Sequence, residues 1–218
     1  MIDLIDIEKN FYQKTILKNI NLKIDEGEFV VINGLSGSGK TTLINIIGHL
    51  EKVSNGLIEI DGKRFKSKKE VQELRKNYFG YVFQNYALVD NESVENNLML
   101  VFENKKNNKN IDEQLNQALN RVGLDRTILN LKINQLSGGE QQRIAIARVL
   151  LKPFKVILAD EPTGNLDDKN KESIFKLLKS IQQSGKTVIC ASHDSDIHKY
   201  ADTIIRLENT NLTITKKG

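Results

Sequence analysis

The sequence of 218 residues has only one cysteine and no long run of apolar residues. A single cysteine excludes an internal disulfide, and Cys190 stands within an apolar stretch, so we expect a small core residue in a reducing cytoplasm. A membrane-spanning helix needs about 18 or more apolar residues in succession, which no segment provides. The N-terminal residues, MIDLIDIEKNFY, have neither the basic start nor the apolar stretch of an export signal. We therefore expect a chain that is neither exported nor membrane-spanning.

The sequence also lacks a strong charge of either sign, because 32 Lys and Arg oppose 28 Asp and Glu. The net charge of +4 predicts a surface of mixed sign with weak attraction to anionic lipid or nucleic acid, and it establishes neither partner. Hydrophobic residues make up 39% of the chain, which is enough for a sizeable core in one domain. Disordered and fibrous proteins are thereby excluded.

Apolar periodicity in the first third of the chain predicts strands and a helix. Alternation at Ile2, Leu4 and Ile7, and again over 20–24, predicts two half-exposed antiparallel strands. A short apolar run at 29–33 predicts a buried strand, and the spacing over 42–50 predicts a helix after a glycine-rich loop. The pattern at 56–60 predicts another strand, and the Asp-Gly pair after it is a hairpin signal.

The remainder of the chain changes character twice. Residues 71–148 favour helix, with a polar interruption rich in Asn and Lys at 104–110. Buried strands are predicted again at 156–159 and 187–191, on either side of a helix at 169–183. The pattern predicts an α/β fold whose core sheet is assembled from both ends of the chain around a helical insertion.

The most informative stretch is the sequence GLSGSGKT at 34–41, between a predicted strand and a predicted helix. Glycines let successive backbone N–H groups point at phosphate oxygens, and the dipole of the following helix favours negative charge. Lys40 would reach the terminal phosphates of ATP, and Thr41 would offer its hydroxyl to Mg²⁺. The predicted nucleotide-binding residues of this loop are Gly34, Ser36, Gly37, Ser38, Gly39, Lys40, Thr41 and Thr42.

Two adjacent carboxylates, Asp160 and Glu161, end the buried strand predicted at 156–159. Burial of two carboxylates without a purpose would be costly. After a phosphate loop, this placement indicates that Asp160 holds Mg²⁺ directly or through water. Glu161 points elsewhere and is placed to polarise the attacking water.

A second glycine-rich turn, Leu-Ser-Gly-Gly at 136–139, precedes a helical run. It is a second candidate anion site at the start of a helix. One nucleotide does not easily occupy two such helix starts on one small domain. We therefore infer that this turn caps ATP held by a second copy of the chain.

The sequence LSGGEQQR at 136–143, together with the phosphate loop, resembles the ATP-binding-cassette family over essentially the whole chain. The resemblance implies a P-loop NTPase with a RecA-like core, an antiparallel β subdomain and an α-helical subdomain. It implies core and β parts at about 1–80 and 153–218, and helical parts at about 85–150. It further implies a head-to-tail dimer with two ATP molecules, where Ser137, Gly138, Gly139 and Glu140 of one copy complete the site of the other.

Matching stretches assign further roles by resemblance. Gln84 resembles the glutamine that contacts Mg²⁺ and water and reports to a membrane partner. Asp167 resembles the aspartate that links the two active sites, and His193 resembles the histidine that contacts the terminal phosphate. Phe11 resembles the aromatic residue that stacks on adenine, although Tyr12 beside it is an alternative. Catalytic roles thus fall on Glu161, His193, Gln84 and Lys40, and Mg²⁺ contacts on Thr41, Gln84 and Asp160.

The family resemblance also implies a partner, an integral membrane permease that would hold the chain at the cytoplasmic face of the plasma membrane. The sequence ADEPTGNLD at 159–167 resembles the subgroup that serves macrolide efflux, lipoprotein release, peptide export and cell division. The sequence FGYVFQNYALVDN at 79–91 resembles the ATP-binding subunits of bacteriocin exporters of the lactococcin type. We expect export of a peptide, a drug or a lipoprotein.

Two alternatives remain at this point. In the first, the chain is a regulatory module, in which ATP-driven closure of the dimer sends a signal through a membrane protein without moving a solute. It is a nucleic-acid ATPase if its basic character, with a pI of about 9.0, serves DNA or RNA. The second is disfavoured because the chain lacks a long coiled-coil insertion and a second cassette. Its lysine clusters at 63–69 and 105–109 also lack stacking aromatics apart from Phe65. We expect no nucleic-acid partner.

Overall fold

The computed structural model describes residues 1–102 and 110–217, which contain an antiparallel and a mostly parallel β-sheet. The strands are β1 (Ile2–Phe11), β2 (Lys14–Ile24), β3 (Phe29–Asn33), β4 (Asn55–Ile60), β5 (Phe79–Val82), β6 (Val156–Asp160), β7 (Thr187–Ala191), β8 (Thr203–Glu208) and β9 (Asn211–Lys216). The helices are α1 (Lys40–Ile47), α2 (Lys68–Asn77), α3 (Val94–Met99), α4 (Ile111–Arg121), α5 (Gly138–Leu150) and α6 (Asp168–Gln183). Short 3₁₀ helices cover Arg126–Asn130, Ile133–Gln135 and Ser195–Tyr200.

The antiparallel sheet has the strand order β2-β1-β4. Ile2, Leu4 and Ile7 are buried, as their alternation predicts, and Ile2 lies opposite residues of both neighbouring strands. The second strand begins at Lys14 rather than at residue 20. Its period-two pattern slips where Lys18 and Asn19 are both exposed, and Asn19 has a φ of 50°. Because this irregularity interrupts the alternation, only the last residues of the strand are recognisable from the sequence.

The six-stranded sheet has the order β5-β6-β7-β3-β8-β9, and all its pairs are parallel except β8 with β9. Successive side chains of β3 enter opposite cores because a strand alternates its faces. Phe29 and Val31 pack in the core that contains residues of α4, α5 and α6. Val30 and Ile32 pack in the core that contains residues of α1 and of the antiparallel sheet. The central strand is therefore apolar without alternation, as the sequence predicts for a parallel sheet.

The stretch predicted to be predominantly helical, 71–148, also contains a strand that was not predicted, β5 (Phe79–Val82). Four residues are too few to show a strand period, and Gly80 allows Val149 of α5 to pack closely, since a Cβ at Gly80 would lie 2.2 Å from Val149 Cγ1. The sheet therefore draws one edge strand from the middle of the chain. Strands β8 and β9 were not predicted either. Of the polar segment predicted at 104–110, residues 104–109 lie outside the described residues.

The expected hairpin after β4 is a local turn. Ile60 and Lys63 form an isolated bridge, and the strand itself pairs with β1.

Within the described ranges, no helix is both long enough and apolar enough to cross a membrane.

Candidate nucleotide site

A cavity of about 790 Å³ opens at the carboxyl edge of the parallel sheet, where β3, β5, β6 and β7 all end. Such an edge is where open α/β sheets place their ligand sites. Most of the predicted residues line this cavity, namely Gly34, Ser36, Gly37, Gly39, Lys40, Thr41, Thr42, Gln84, Glu161 and His193. The fold thus brings together residues from four separate parts of the chain.

The phosphate loop leaves the start of α1 open. Gly39 stands at the N-cap with a φ of 102°, a left-handed conformation that favours glycine, and no side chain caps the first turn. At Gly34, a Cβ would lie 2.5 Å from the Leu207 carbonyl oxygen, so the loop passes too close to β8 for any side chain there. The buried hydroxyl of Ser38 has no hydrogen-bond partner among the described residues. The free helix start and this orphaned hydroxyl fit a phosphate group.

Lys40 turns its ammonium group back into the loop. Its Nζ donates to the carbonyl oxygens of Gly34 at 3.0 Å and Leu35 at 3.2 Å. The same Nζ lies 3.6 Å from Glu161 Oε1, and the Lys40 side chain is only 8% exposed. A buried cation is thus held among backbone oxygens and one carboxylate, at the position where a phosphate would be bound.

Thr41 lines the cavity and connects it to Asp160, which is not itself among the described lining residues. Thr41 Oγ1 donates to Asp160 Oδ1 at 3.1 Å. Burial raises the pKa of Asp160, and the neighbouring charge of Glu161 raises it further. Mg²⁺ prefers oxygen ligands, and hydroxyl, carboxylate and the amide of Gln84 supply them. Among residues 1–102 and 110–217 no cluster of three His, Cys, Asp or Glu side chains could hold a metal ion. This donor set therefore fits a cation that arrives with phosphate oxygens.

Glu161 is held in an unusual conformation. Its φ is 46°, in the left-handed region that is uncommon for residues other than glycine. Strain of this kind clusters at functional sites, where the surrounding structure enforces it. Glu161 Oε2 lies 2.9 Å from His193 Nδ1, while the other carboxylate oxygen faces Lys40. The carboxylate thus stands between an ammonium group and an imidazole, with His193 67% exposed toward the cavity mouth.

Gln84 follows β5 and contacts the loop after Glu161. Its carbonyl oxygen accepts a hydrogen bond from Asn165 Nδ2 at 3.4 Å. A Cβ placed on Gly164 would lie 3.2 Å from Gln84 Nε2, so the side chain packs against this loop. Asp167 does not line the cavity but caps α6, where Oδ1 accepts from Asn170 N at 2.9 Å. Hydrogen bonds from the backbone and the side chain of Asn170 lower the pKa of Asp167. Its role in communication between sites stays a prediction.

The second glycine-rich turn lies outside the cavity, since none of Ser137, Gly138, Gly139 and Glu140 is among the described residues that line it. Ser137 is the N-cap of α5, and its hydroxyl oxygen accepts from Glu140 N. In return, the Glu140 carboxylate accepts from Ser137 N at 2.8 Å and from Ser137 Oγ at 2.6 Å. This capping box lowers the pKa of Glu140. Glu140 therefore has a structural role, and its contact with ATP stays a prediction.

The two aromatic candidates for adenine stacking stand at the turn between β1 and β2. Lys9 Nζ lies 4.5 Å from the ring centroid of Phe11, which is 41% exposed. Tyr12 is fully exposed and has a φ of 52°. Neither belongs to the described lining of the cavity. The choice between Phe11 and Tyr12 stays open.

Sequence reasoning missed part of the lining. Asn33, Ile16, Arg206 and Glu208 also face the cavity. Asn33 directly precedes the phosphate loop, so its position could have been found from the motif. The others come from β2 and β8, and only the strand order brings them to the loop.

A family model described as ABC transporter matches residues 17–164. The chain is 42% identical over 202 residues to the macrolide export ATP-binding/permease protein MacB of Shewanella sp. (strain W3-18-1). That alignment covers 90% of this chain but only 31% of the relative's length. The chain is 44% identical over 204 residues to the uncharacterized ABC transporter ATP-binding protein MJ1508 of Methanocaldococcus jannaschii, covering 90% and 89% of the two chains.

Solved structures agree with this comparison. A dimeric structure of the ABC transporter cassette MJ0796, from Methanocaldococcus jannaschii, matches with a TM-score of 0.89 at 37% identity, over 100% of both chains. A second structure, described as a post-hydrolysis state of MJ0796 bound to ADP and Pi, matches with a TM-score of 0.89 at 36% identity. The predicted fold class is confirmed by these matches.

Proposed function

Because the chain belongs to the ABC transporter family and is an ABC ATPase, we propose that two copies bind ATP head to tail and hydrolyse it at their shared interface. One observation carries this proposal. The open helix start at Gly39 lines the cavity, whereas the Ser137 turn does not. A site that needs both must take the Ser137 turn from a second copy. The dimeric structure of MJ0796 supports the association of two copies.

Binding would rest on the phosphate loop. Lys40 would exchange its bonds with the Gly34 and Leu35 carbonyl oxygens for phosphate oxygens, which are stronger acceptors because they are charged. The uncapped N–H groups at the start of α1 would hold the same anion. Thr41, Asp160 and Gln84 would hold Mg²⁺, which neutralises phosphate charge when it is bound.

Hydrolysis would rest on Glu161 and His193. The Glu161 carboxylate would accept a hydrogen bond from the attacking water and orient it. His193, 2.9 Å from Glu161 Oε2, would keep the carboxylate in place and donate to the terminal phosphate. Closure of the dimer would exclude bulk water from these groups.

Subunit complementation tests the shared site. Lys40→Ala should weaken nucleotide binding, and Ser137→Asp should repel the partner's phosphate while keeping a favourable N-cap residue. Each variant alone should lose ATPase activity. Mixed in equal amounts, half of the dimers keep one intact site of two, so about one quarter of the activity should return. No recovery, with both variants folded by circular dichroism, would mean that each chain builds its own site.

The partner would be a membrane permease at the cytoplasmic face of the plasma membrane. The MacB relative is named as an ATP-binding/permease protein, and this chain spans only 31% of its length. The permease part of that relative supports a membrane partner for this chain. We propose that residues 85–150 form the helical subdomain that docks the permease near Gln84. The substrate class would be that of the macrolide and lipoprotein export subgroup, and none of the relatives compared supports bacteriocin specificity.

Co-purification from membranes tests the partner. The expected result is an integral membrane protein whose presence raises ATPase activity, and whose vesicles accumulate a solute on addition of ATP. A partner that responds to ATP without moving a solute would instead make the chain a signalling module. Stimulation by DNA or RNA would contradict both.

A further inference from the structure

The side chain of Arg148 holds the loop that carries Gln84 against α5. Its Nη1 donates to the Ala87 carbonyl oxygen at 2.6 Å, and its Nη2 donates to the Tyr86 carbonyl oxygen at 3.2 Å. One planar guanidinium group thus holds two consecutive carbonyl groups. Such a bidentate contact fixes orientation as well as distance.

The two carbonyl groups belong to an unfavourable backbone conformation. Tyr86 has a φ of 60° and Ala87 a φ of 49°, so two adjacent residues that are not glycine are left-handed. This conformation is disfavoured for residues with a Cβ and persists only where contacts enforce it. The local bonds, from Tyr86 N to Phe83 O and from Ala87 N to Asn85 O, span only a few residues. Arg148 supplies the contact from outside the loop.

Arg148 has no other compensation for its charge in the described part of the chain. Burial lowers its pKa, and its hydrogen bonds in the described residues go to the carbonyl oxygens of Ala87 and Tyr86. Hydrogen bonds from a charged donor to carbonyl oxygens are stronger than neutral ones, and they strengthen further away from water. The two carbonyl groups of the loop are therefore the partners that stabilise the charge of Arg148.

The same loop also reaches the other end of α5. A Cβ on Gly138 would lie 3.1 Å from the Tyr86 hydroxyl oxygen, so this ring packs against the first turn of the helix. The helix runs from Gly138 to Leu150 without interruption. Contacts at both of its ends thus connect one rigid element with the Gln84 loop.

We propose that Arg148 is a positioning residue that makes the Gln84 loop follow α5, the helix that begins with the Ser137 turn. The orientation of Gln84 in one site is then set by the helix that completes the other site. This inference rests on the proposed function for its consequence in catalysis. The clamp itself stands on the contacts of Arg148 alone.

Hydrogen exchange in the nucleotide-free chain tests the clamp without catalysis. Arg148→Met should speed exchange of the Tyr86 and Ala87 amides by about tenfold or more, because charge-assisted hydrogen bonds are lost. Arg148→Lys should give an intermediate rate, because an ammonium group cannot hold both carbonyl groups in one plane. Arg143→Met is the matched control, since Arg143 of the same helix binds Val122 O and Ser173 Oγ and does not contact the loop.

Mg²⁺ titration of the ATPase reaction tests the consequence. Arg148→Met should raise the Mg²⁺ concentration for half activation several-fold with a smaller change in the KM for ATP, and Arg148→Lys should restore part of it. Equal loop exchange in the Arg148→Met and Arg143→Met variants would overturn the clamp. Faster amide exchange in the loop, with an unchanged Mg²⁺ concentration for half activation, would overturn the link to Gln84. An unmodified chain without ATPase activity would instead count against the proposed function.

Discussion

The two glycine-rich turns of this chain begin their helices in opposite ways. The phosphate loop leaves the start of α1 without any side-chain cap. The Ser137 turn starts α5 with a complete capping box, in which Glu140 already accepts the N–H of Ser137. The first turn keeps its backbone donors for a ligand, whereas the second has satisfied part of them internally. Two turns of similar composition thus differ in the number of backbone N–H groups that they leave free for an anion, and the phosphate loop leaves more.

Glycine also serves different purposes in the two turns. Gly39 is left-handed, with a φ of 102°, so its backbone conformation requires glycine. Gly139 is helical, but a Cβ there would lie 2.7 Å from Asn170 Oδ1. Asn170 also donates to Asp167, the cap of α6. The first glycine provides conformation, and the second provides space for the neighbouring helix.

The largest expected effect tests whether the two turns close on each other. Glu161→Gln should lower ATP turnover by about 100-fold or more, because an amide cannot act as a general base. ATP binding should remain, since Lys40 and the start of α1 are unchanged. The unhydrolysed nucleotide should then hold two copies together, which light scattering in the presence of ATP would detect as a doubled mass.

A matched control for this change is Glu113→Gln, the same chemical alteration on the exposed face of α4. It should leave both turnover and mass unaltered. Turnover at the native rate in the Glu161→Gln variant would remove Glu161 from the mechanism. A monomer with bound ATP would contradict the head-to-tail closure.

The second effect separates the two uses of glycine. Gly39→Ala should destabilise the fold by about 2 kcal/mol, because alanine disfavours the left-handed region. Its Cβ would in addition lie 2.8 Å from Ile16 Cγ2. Gly139→Ala should change stability by less than about 1 kcal/mol, since the helical preference of alanine offsets the displacement of Asn170. Urea unfolding of both variants measures the difference, and equal losses would refute the distinction.

The motif-bearing parts of the site were predictable from the sequence, because the motifs combine residue type with local order. The phosphate loop, the strand before it and the two carboxylates at the end of β6 follow from a buried run with polar residues at its end. The strand order then places Gln84, Glu161 and His193 at the same edge. Glu161 was predicted from the buried strand before it, whereas Gln84 and His193 were assigned through the family resemblance.

Other parts were not predictable, for physical reasons that differ. β5 is four residues long and is stabilised by tertiary packing of Gly80 on Val149, which no local period reveals. Arg206 and Glu208 reach the cavity only because β8 pairs with β3. The clamp by Arg148 joins residues that are 61 and 62 positions apart in the chain. Side-chain contacts over such separations carry no signature in one sequence.

The smallest expected effect concerns the capping box itself. Hydrogen bonds from Ser137 depress the pKa of Glu140 below its ordinary value of 4.5, so its contribution is present above that pH and is lost as pH falls through the folded-state pKa. Glu140→Ala should therefore cost about 1 kcal/mol at neutral pH and less in acid. Glu140→Gln is the control, because glutamine keeps the acceptor of the capping box without titrating. A loss independent of pH in Glu140→Ala, measured by urea unfolding, would show that the side chain acts by packing and not by its charge. The capped turn would then differ from the open phosphate loop in shape alone.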